Sequence, residues 1–244
     1  MRIAVILPAA GLGTRMGKGS AEKAGTSRKQ FMLLEGSPIF IHTVRKFEAS
    51  DRVSEIVVAV RPEDREWVGE VLAREFPGDR VRAVEGGDSR QQSVENALAT
   101  LRPDTDLVAV HDAVRPFIEL ETIHRVFDEA AEFGAAIVGV PAVDTVKQVT
   151  RGTDHVRIRA TLPREKLVMA QTPQVFRYNL IVRAFQSARA DGFTGTDESS
   201  LVERLDVEVS VVPGSDRNIK ITKPGDMELA RLFLQEQTAR ESQA

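Results

Sequence analysis

The chain has 244 residues, 42% of them hydrophobic, with 33 basic and 36 acidic side chains and a formal net charge of -3. That length can bury one large core, and the charge balance excludes bulk attraction to nucleic acid or an anionic membrane, so any anion binding has to be local. The lack of cysteine excludes disulfides, thiolate metal sites and a cysteine nucleophile, and suits a reducing, cytoplasmic setting. One domain over 1–244 is expected. Only five apolar residues separate Arg2 from Pro8, too few for a signal sequence, and no apolar stretch approaches the roughly 18 residues of a membrane helix.

The first strand is expected at 3–7, a continuous apolar run leading into Gly11, Gly13 and Arg15. Glycines there let the backbone turn tightly and bring bare N–H groups to phosphate oxygens, and Arg15 adds a charge that does not titrate. It is not a dinucleotide loop, because Met16 stands where the third glycine belongs. Nor is it a P-loop, because no Gly-Lys-Ser/Thr follows Gly11. Ser37 is expected to cap a helix whose first turn holds Pro38 and whose buried face carries Phe40, Val44 and Phe47. Further strands fall at 55–60, 81–84, 107–110, 135–140 and 207–212, mostly apolar on both faces, as in a covered parallel sheet. Asp88 or Ser89 opens a helix through Val94, Ala97 and Leu98, and Ile123, Val126, Phe127 and Ala130 mark another over 119–133. Helices at 178–190 and 224–235 close the chain before a frayed tail at 236–244. The alternation predicts an α/β fold: a doubly wound, mostly parallel, Rossmann-like sheet with its ligand crevice at the carboxyl ends of the strands.

The rhythm breaks once, at 144–168, where strand-like runs at 145–150 and 156–161 flank a turn with Gly152 at its tip. A projecting two-stranded hairpin needs packing against something. It is either a lid on its own domain or, as we favour, a dimerisation arm.

Four further segments follow predicted strands at the crevice. Gly86-Gly87-Asp88-Ser89-Arg90 with Ser93 offers a glycine turn and side chains able to read a polar ring edge, or simply a capped helix start. At His111-Asp112-Ala113-Val114-Arg115-Pro116, Asp112 can hold a metal or a substrate hydroxyl and Arg115 an anion, or the two form a salt bridge worth about 0–1 kcal/mol if exposed. Gln171-Thr172-Pro173-Gln174 and Asn218-Ile219-Lys220-Ile221-Thr222 add a hydroxyl and a lysine.

Taken in order with Lys29-Gln30-Phe31, Asp144-Thr145-Val146-Lys147 and Thr196-Asp197-Glu198, these motifs resemble the 2-C-methyl-D-erythritol 4-phosphate cytidylyltransferases of the non-mevalonate isoprenoid pathway, from Ile3 to Thr222. The chain departs from that pattern in a long stretch at 17–28, in Arg28 where proline often stands, and in Val114 for a second alanine. The resemblance implies a nucleotidyltransferase that moves CMP from CTP to 2-C-methyl-D-erythritol 4-phosphate and releases pyrophosphate. It implies Arg15, Lys29 and Lys220 as catalytic cations. The nucleotide falls to Ala9, Ala10, Gly11, Gly13, Gly86, Asp88 and Ser93. The polyol phosphate falls to Asp112, Arg115, Thr145, Arg164 and Thr172, with Thr145 and Arg164 on or beside the arm of a homodimer, able to serve the neighbouring subunit's site. Mg²⁺ is expected to bridge the CTP phosphates without a direct protein ligand, and no histidine receives a catalytic role. Lys29 is preferred over Lys18 and Lys23 because the apolar stretch that follows it can anchor it beside the core. Two alternatives stay open: a cytidylyltransferase for a related polyol phosphate such as ribitol 5-phosphate, and a non-catalytic nucleotide-binding regulator.

Overall fold

The computed structural model describes residues 1–11 and 28–241. In chain order it contains β1 (Ile3–Pro8), β2 (Leu33–Leu34), β3 (Ser37–Pro38), α1 (Ile39–Glu48), β4 (Val53–Val60), α2 (Arg65–Glu75), β5 (Val81–Glu85), α3 (Arg90–Leu98) and β6 (Leu107–Val110). It continues with α4 (Leu120–Phe133), β7 (Ala135–Pro141), β8 (Lys147–Arg151), β9 (Val156–Thr161), β10 (Val168–Arg177), α5 (Tyr178–Ala190), α6 (Glu198–Glu203), β11 (Ser210–Pro213) and α7 (Pro224–Glu241).

Seven strands form one sheet in the order β11-β7-β10-β6-β1-β4-β5. All neighbours are parallel except β10, which runs antiparallel to both β6 and β7. The chain winds outward from β1 through β4 to β5, then returns to β6 on the other side of β1. That reversal is the topological switch point where open α/β sheets bind ligands, outside the carboxyl ends of the strands.

The strands are apolar on both faces because both faces are covered. Ile3, Val5 and Leu7 of β1 pack with Phe40, Val44 and Phe47 of α1 and with Ile123, Val126 and Phe127 of α4. Ala4 and Ile6, pointing the other way, pack with Val94, Ala97 and Leu98 of α3 and with Ile181 and Phe185 of α5. A smaller cluster under α7 joins Met32, Leu34, Val114 and Ile221, residues flanking three of the crevice segments.

Several boundaries differ from the sequence reading. Ser37 caps nothing: Glu35 and Gly36 both take positive φ, and Ser37 pairs with Leu34 across that tight turn, leaving Pro38 before the helix. β10 was not anticipated, since Gln171-Thr172-Pro173-Gln174 interrupts its apolar pattern. Its register with β7 shifts between Ala170 and Gln174, where Pro173 has no N–H to donate. The last strand begins at Ser210 rather than Val207, and α7 continues past Gln235 to Glu241, where a frayed tail was expected; residues 242–244 of that tail lie outside the described residues. α2 and α6 were also unanticipated. α2 is a charged helix that buries only Val68, Val71 and Leu72, and α6 spans six residues.

The hairpin is present as β8 and β9, a separate antiparallel ribbon. None of its residues lines the crevice at the strand ends. Its strands are exposed almost throughout.

Candidate active site

Four strand ends meet at the switch point. β1 supplies Pro8 through Gly11, β4 is followed by Arg61, β5 leads into the turn at 87–90, and β6 is followed by Asp112, Ala113 and Val114; with Lys29, Gln30, Ser93 and Lys220 they line a cleft of about 380 Å³.

Lys29 opens a single 3-10 turn whose other two residues, Gln30 and Phe31, are buried. Gln30 Nε2 donates to the carbonyls of Ala9 at 2.6 Å and Gly11 at 3.0 Å, which ties this turn to the end of β1. Phe31 meets Phe40 and Trp67 edge-on, at centroid distances of 5.7 and 5.0 Å, and Arg28 is held by Asp64 and Glu63. The chain thus re-enters the core at a fixed point, and Lys29 stands on it. Gly13, Arg15, Lys18 and Lys23 lie outside the described residues.

The β5–α3 turn is shaped by glycine and serine. A Cβ on Gly86 would stand 2.9 Å from both Ala10 Cβ and Ser93 Oγ, so no larger residue fits. The Gly86 amide donates to the Val60 carbonyl at 2.6 Å and its carbonyl accepts from Asn96 Nδ2 at 3.0 Å. Ser93 Oγ accepts from the Gly87 amide at 3.0 Å and donates to the Ser89 carbonyl at 2.8 Å. Gly86 and Ser93, expected to read a base, therefore have these groups engaged in building the turn. Asp88 is exposed on the cleft wall. Ser89, not Asp88, caps α3 by accepting from the Gln92 amide at 3.0 Å.

Asp112 is the electrostatic centre. Its side chain is only 8% exposed, yet Lys220 Nζ stands 2.9 Å and Arg115 Nε 3.1 Å from Oδ2, while Arg90 Nε lies 3.6 Å from Oδ1. Burial alone would raise its pKa, but Lys220, Arg90 and Arg115 together hold it well below the usual carboxylate range. A lone surface salt bridge would be worth little; one buried carboxylate facing three cations is a built site.

Thr172 and Arg115 support this centre from behind and are not part of the cleft wall. The Asp112 amide donates to Thr172 Oγ1 at 3.0 Å, and Thr172 Oγ1 lies 3.0 Å from His111 Nδ1. His111 Nε2 lies 3.0 Å from the Arg115 carbonyl, which can only accept. Nε2 therefore carries the proton and Nδ1 accepts from the threonine. Burial lowers the His111 pKa to about 4, so the ring is neutral at working pH and positions the loop. Arg115 Nη1 donates to the Asn218 carbonyl at 2.7 Å, joining the Asp112 loop to the segment that carries Lys220.

Thr145 and Arg164 are not brought to this cleft. Both are exposed at the base of the arm, where Arg164 Nη1 donates to the Val143 carbonyl at 2.7 Å. Conversely, Arg61 and Arg90 line the cleft and received no role from the sequence. Arg61 follows β4 directly, and position after a strand was the signal that found Asp112. Among the described residues no group of three metal-binding side chains occurs, and no helix is long and apolar enough to cross a membrane.

The family model for 2-C-methyl-D-erythritol 4-phosphate cytidylyltransferase matches residues 3–236. A protein of that name from Solibacter usitatus (strain Ellin6076) is 81% identical over 240 residues, covering 98% of each chain. Its namesake from Acidobacterium capsulatum is 56% identical over 241 residues, 98% of this chain and 100% of the relative. Among solved structures, 4-diphosphocytidyl-2C-methyl-D-erythritol synthase from Anaerococcus prevotii DSM 20548 superposes with a TM-score of 0.80 at 29% identity, covering 96% of this chain and 98% of that one. The Thermus thermophilus cytidylyltransferase gives 0.75 at 30% identity, with the same coverage. Matched along nearly its whole length in both sequence and fold, this chain belongs to the 2-C-methyl-D-erythritol 4-phosphate cytidylyltransferase family.

Proposed function

We propose that this cleft transfers CMP from CTP to 2-C-methyl-D-erythritol 4-phosphate in isoprenoid precursor synthesis. The observation that carries the reading is Asp112 compensated by three cations at the switch point, with Lys29 and Lys220 on the walls of the same cleft. A phosphate oxygen of the polyol attacks the α-phosphorus of CTP in line. The new P–O bond forms as the bond to the β-phosphate oxygen breaks, and pyrophosphate leaves with the electron pair. The attacking phosphate is already ionised at neutral pH, so no general base is required and neutral His111 need not act.

What the protein must supply is alignment of two anions and charge complementary to the transition state. We assign Lys29, Lys220 and Arg15 to the α-phosphate and leaving group, the turn at 9–11 with Gly13 to the triphosphate, and the turn at 86–88 to cytosine, with Asp88 facing the base and Ser93 holding the turn's shape. Asp112 accepts from the polyol hydroxyls, with Arg115 and Thr172 holding it. The described cleft carboxylates are Asp88 and Asp112, and Asp112 is already compensated. A Mg²⁺ arriving with CTP would need no ligand from Asp112 in such a site, and would neutralise developing phosphate charge there. Pyrophosphate released from CTP only when the polyol phosphate is present supports the reading; release that ignores the polyol overturns it.

The arm completes the proposal as a homodimer contact. Val149 pairs with Ile158 and Arg151 with Val156 across the ribbon, so Val149, Ile158 and Val156 share one face. Ile158 is 67% exposed and Val156 55%, and such a ribbon is marginal alone. A second copy covering that face would carry Thr145 and Arg164 toward its neighbour's cleft. Val156→Asp with Ile158→Asp is expected to give a monomer in sedimentation and to depress turnover at least tenfold, the scale of losing one substrate contact. An unchanged oligomer with normal turnover contradicts it. The rest of the chain acts as one catalytic unit, and its cysteine-free composition suits the cytoplasm.

A further inference from the structure

We infer that Glu198 is a positioning residue that holds the Arg90 guanidinium in the cleft beside Asp112, so that Arg90 presents a fixed cation to the phosphate of the polyol substrate. The inference deepens the function proposed above and rests on it.

Glu198 is the first residue of α6, directly after the cap Asp197, whose carboxylate accepts from the Ser200 amide at 3.1 Å and from Gln174 Nε2 at 2.8 Å. Those bonds seat α6 against β10 and leave Glu198 only 1% exposed. Its Oε1 accepts from Arg90 Nη1 at 2.6 Å, while Oε2 is buried without a hydrogen-bond partner. A buried carboxylate with one oxygen unsatisfied is costly, and a partner that would otherwise be misplaced accounts for it.

Arg90 is that partner. It starts α3, and its side chain, 30% exposed, lines the cleft between Glu198 and Asp112. The separations are unequal: 2.6 Å to Glu198 but 3.6 Å to Asp112. Glu198 therefore sets where the guanidinium sits and keeps it from closing into a tight pair with Asp112, which would occupy the carboxylate assigned to the polyol hydroxyls. Arg90, Arg115 and Lys220 balance Asp112, Glu198 and the neighbouring Asp197, so what the cluster offers an incoming phosphate is a directed guanidinium and not a net positive charge. A guanidinium has five N–H donors, more than two carboxylates at these distances use.

The test is steady-state kinetics on the full chain with CTP and 2-C-methyl-D-erythritol 4-phosphate. Glu198→Gln keeps size and polarity but removes the charge, and is expected to raise the KM for the polyol phosphate about tenfold while the KM for CTP moves by less than roughly threefold. In an Arg90→Ala background the same substitution should change nothing further. Glu198→Asp, which keeps the charge at shorter reach, should fall between, and it carries the same cycle if Glu198→Gln does not fold. A polyol KM equal to wild type, or an equal rise with and without Arg90, overturns the inference. An inactive wild type would reject the proposed function itself, whereas an active wild type with an unaffected Glu198 variant rejects only the positioning role.

Discussion

Lys29→Ala is expected to lower kcat by roughly a hundredfold or more, the scale for removing one pre-organised donor from a site where charge develops. The turn that carries Lys29 is fixed from two sides, by Gln30 on the carbonyls of Ala9 and Gly11 and by Phe31 between Phe40 and Trp67. The backbone that carries the lysine is thus held in place before substrate arrives, which lowers the ordering cost at each turnover. Lys18 and Lys23 sit among glycine, serine and alanine in the sequence, without an apolar anchor. Their alanine variants should mainly raise the KM for CTP by a few fold, as screened, uniform attraction does. Single-turnover kinetics separates the cases. Wild-type kcat in Lys29→Ala together with its loss in Lys23→Ala would show that the long stretch at 17–28 has moved the catalytic cation.

Asp112→Asn should reduce kcat/KM for the polyol phosphate by about a hundredfold, since a hydrogen bond to a charged acceptor is worth up to about 3 kcal/mol. It should also destabilise the fold, because Lys220, Arg90 and Arg115 would lose the carboxylate they share. The pH dependence has a definite sign. The folded-state pKa of Asp112 lies below its ordinary value near 3.8, so its stabilisation is complete above that value and is lost only as pH falls toward the folded one. The melting-temperature gap between wild type and Asp112→Asn is therefore expected to be flat from about pH 5 to 8 and to narrow in acid. A gap that widens on acidification contradicts the charge assignment.

How much of this was legible in the sequence follows from what is local. β1, β6 and β7 read clearly because strands covered on both faces are continuous apolar runs. β10 did not, since Thr172 and Gln174 are buried polar residues whose partners lie far along the chain: His111 for Thr172, Asp197 and Ser199 for Gln174. The tight turn at Glu35 and Gly36 was hidden because only the backbone shows that a glutamate takes positive φ. Asp112 and Lys220 were found through their motifs, but their contact spans 108 residues of chain, as does that of Arg90 with Glu198. Spacing along a chain does not encode such pairs, which is why Arg90 and Glu198, though they stand in quoted motifs, gained their joint role only from the folded cleft; Arg61 stands in no quoted motif and was placed only by the end of β4. The arm was legible as alternation and its exposure as structure.

That this cleft joins CMP to one polyol phosphate is tested by pyrophosphate release with Mg²⁺ and each pairing of nucleotide and acceptor. Stoichiometric pyrophosphate and a cytidine diphosphate product are expected from CTP with 2-C-methyl-D-erythritol 4-phosphate. The kcat/KM should fall at least tenfold when UTP replaces CTP, a gap of about 1.4 kcal/mol that one well-placed hydrogen bond supplies, and should also be lower with ribitol 5-phosphate as acceptor. Equal use of UTP or ATP, or preference for ribitol 5-phosphate, would contradict it.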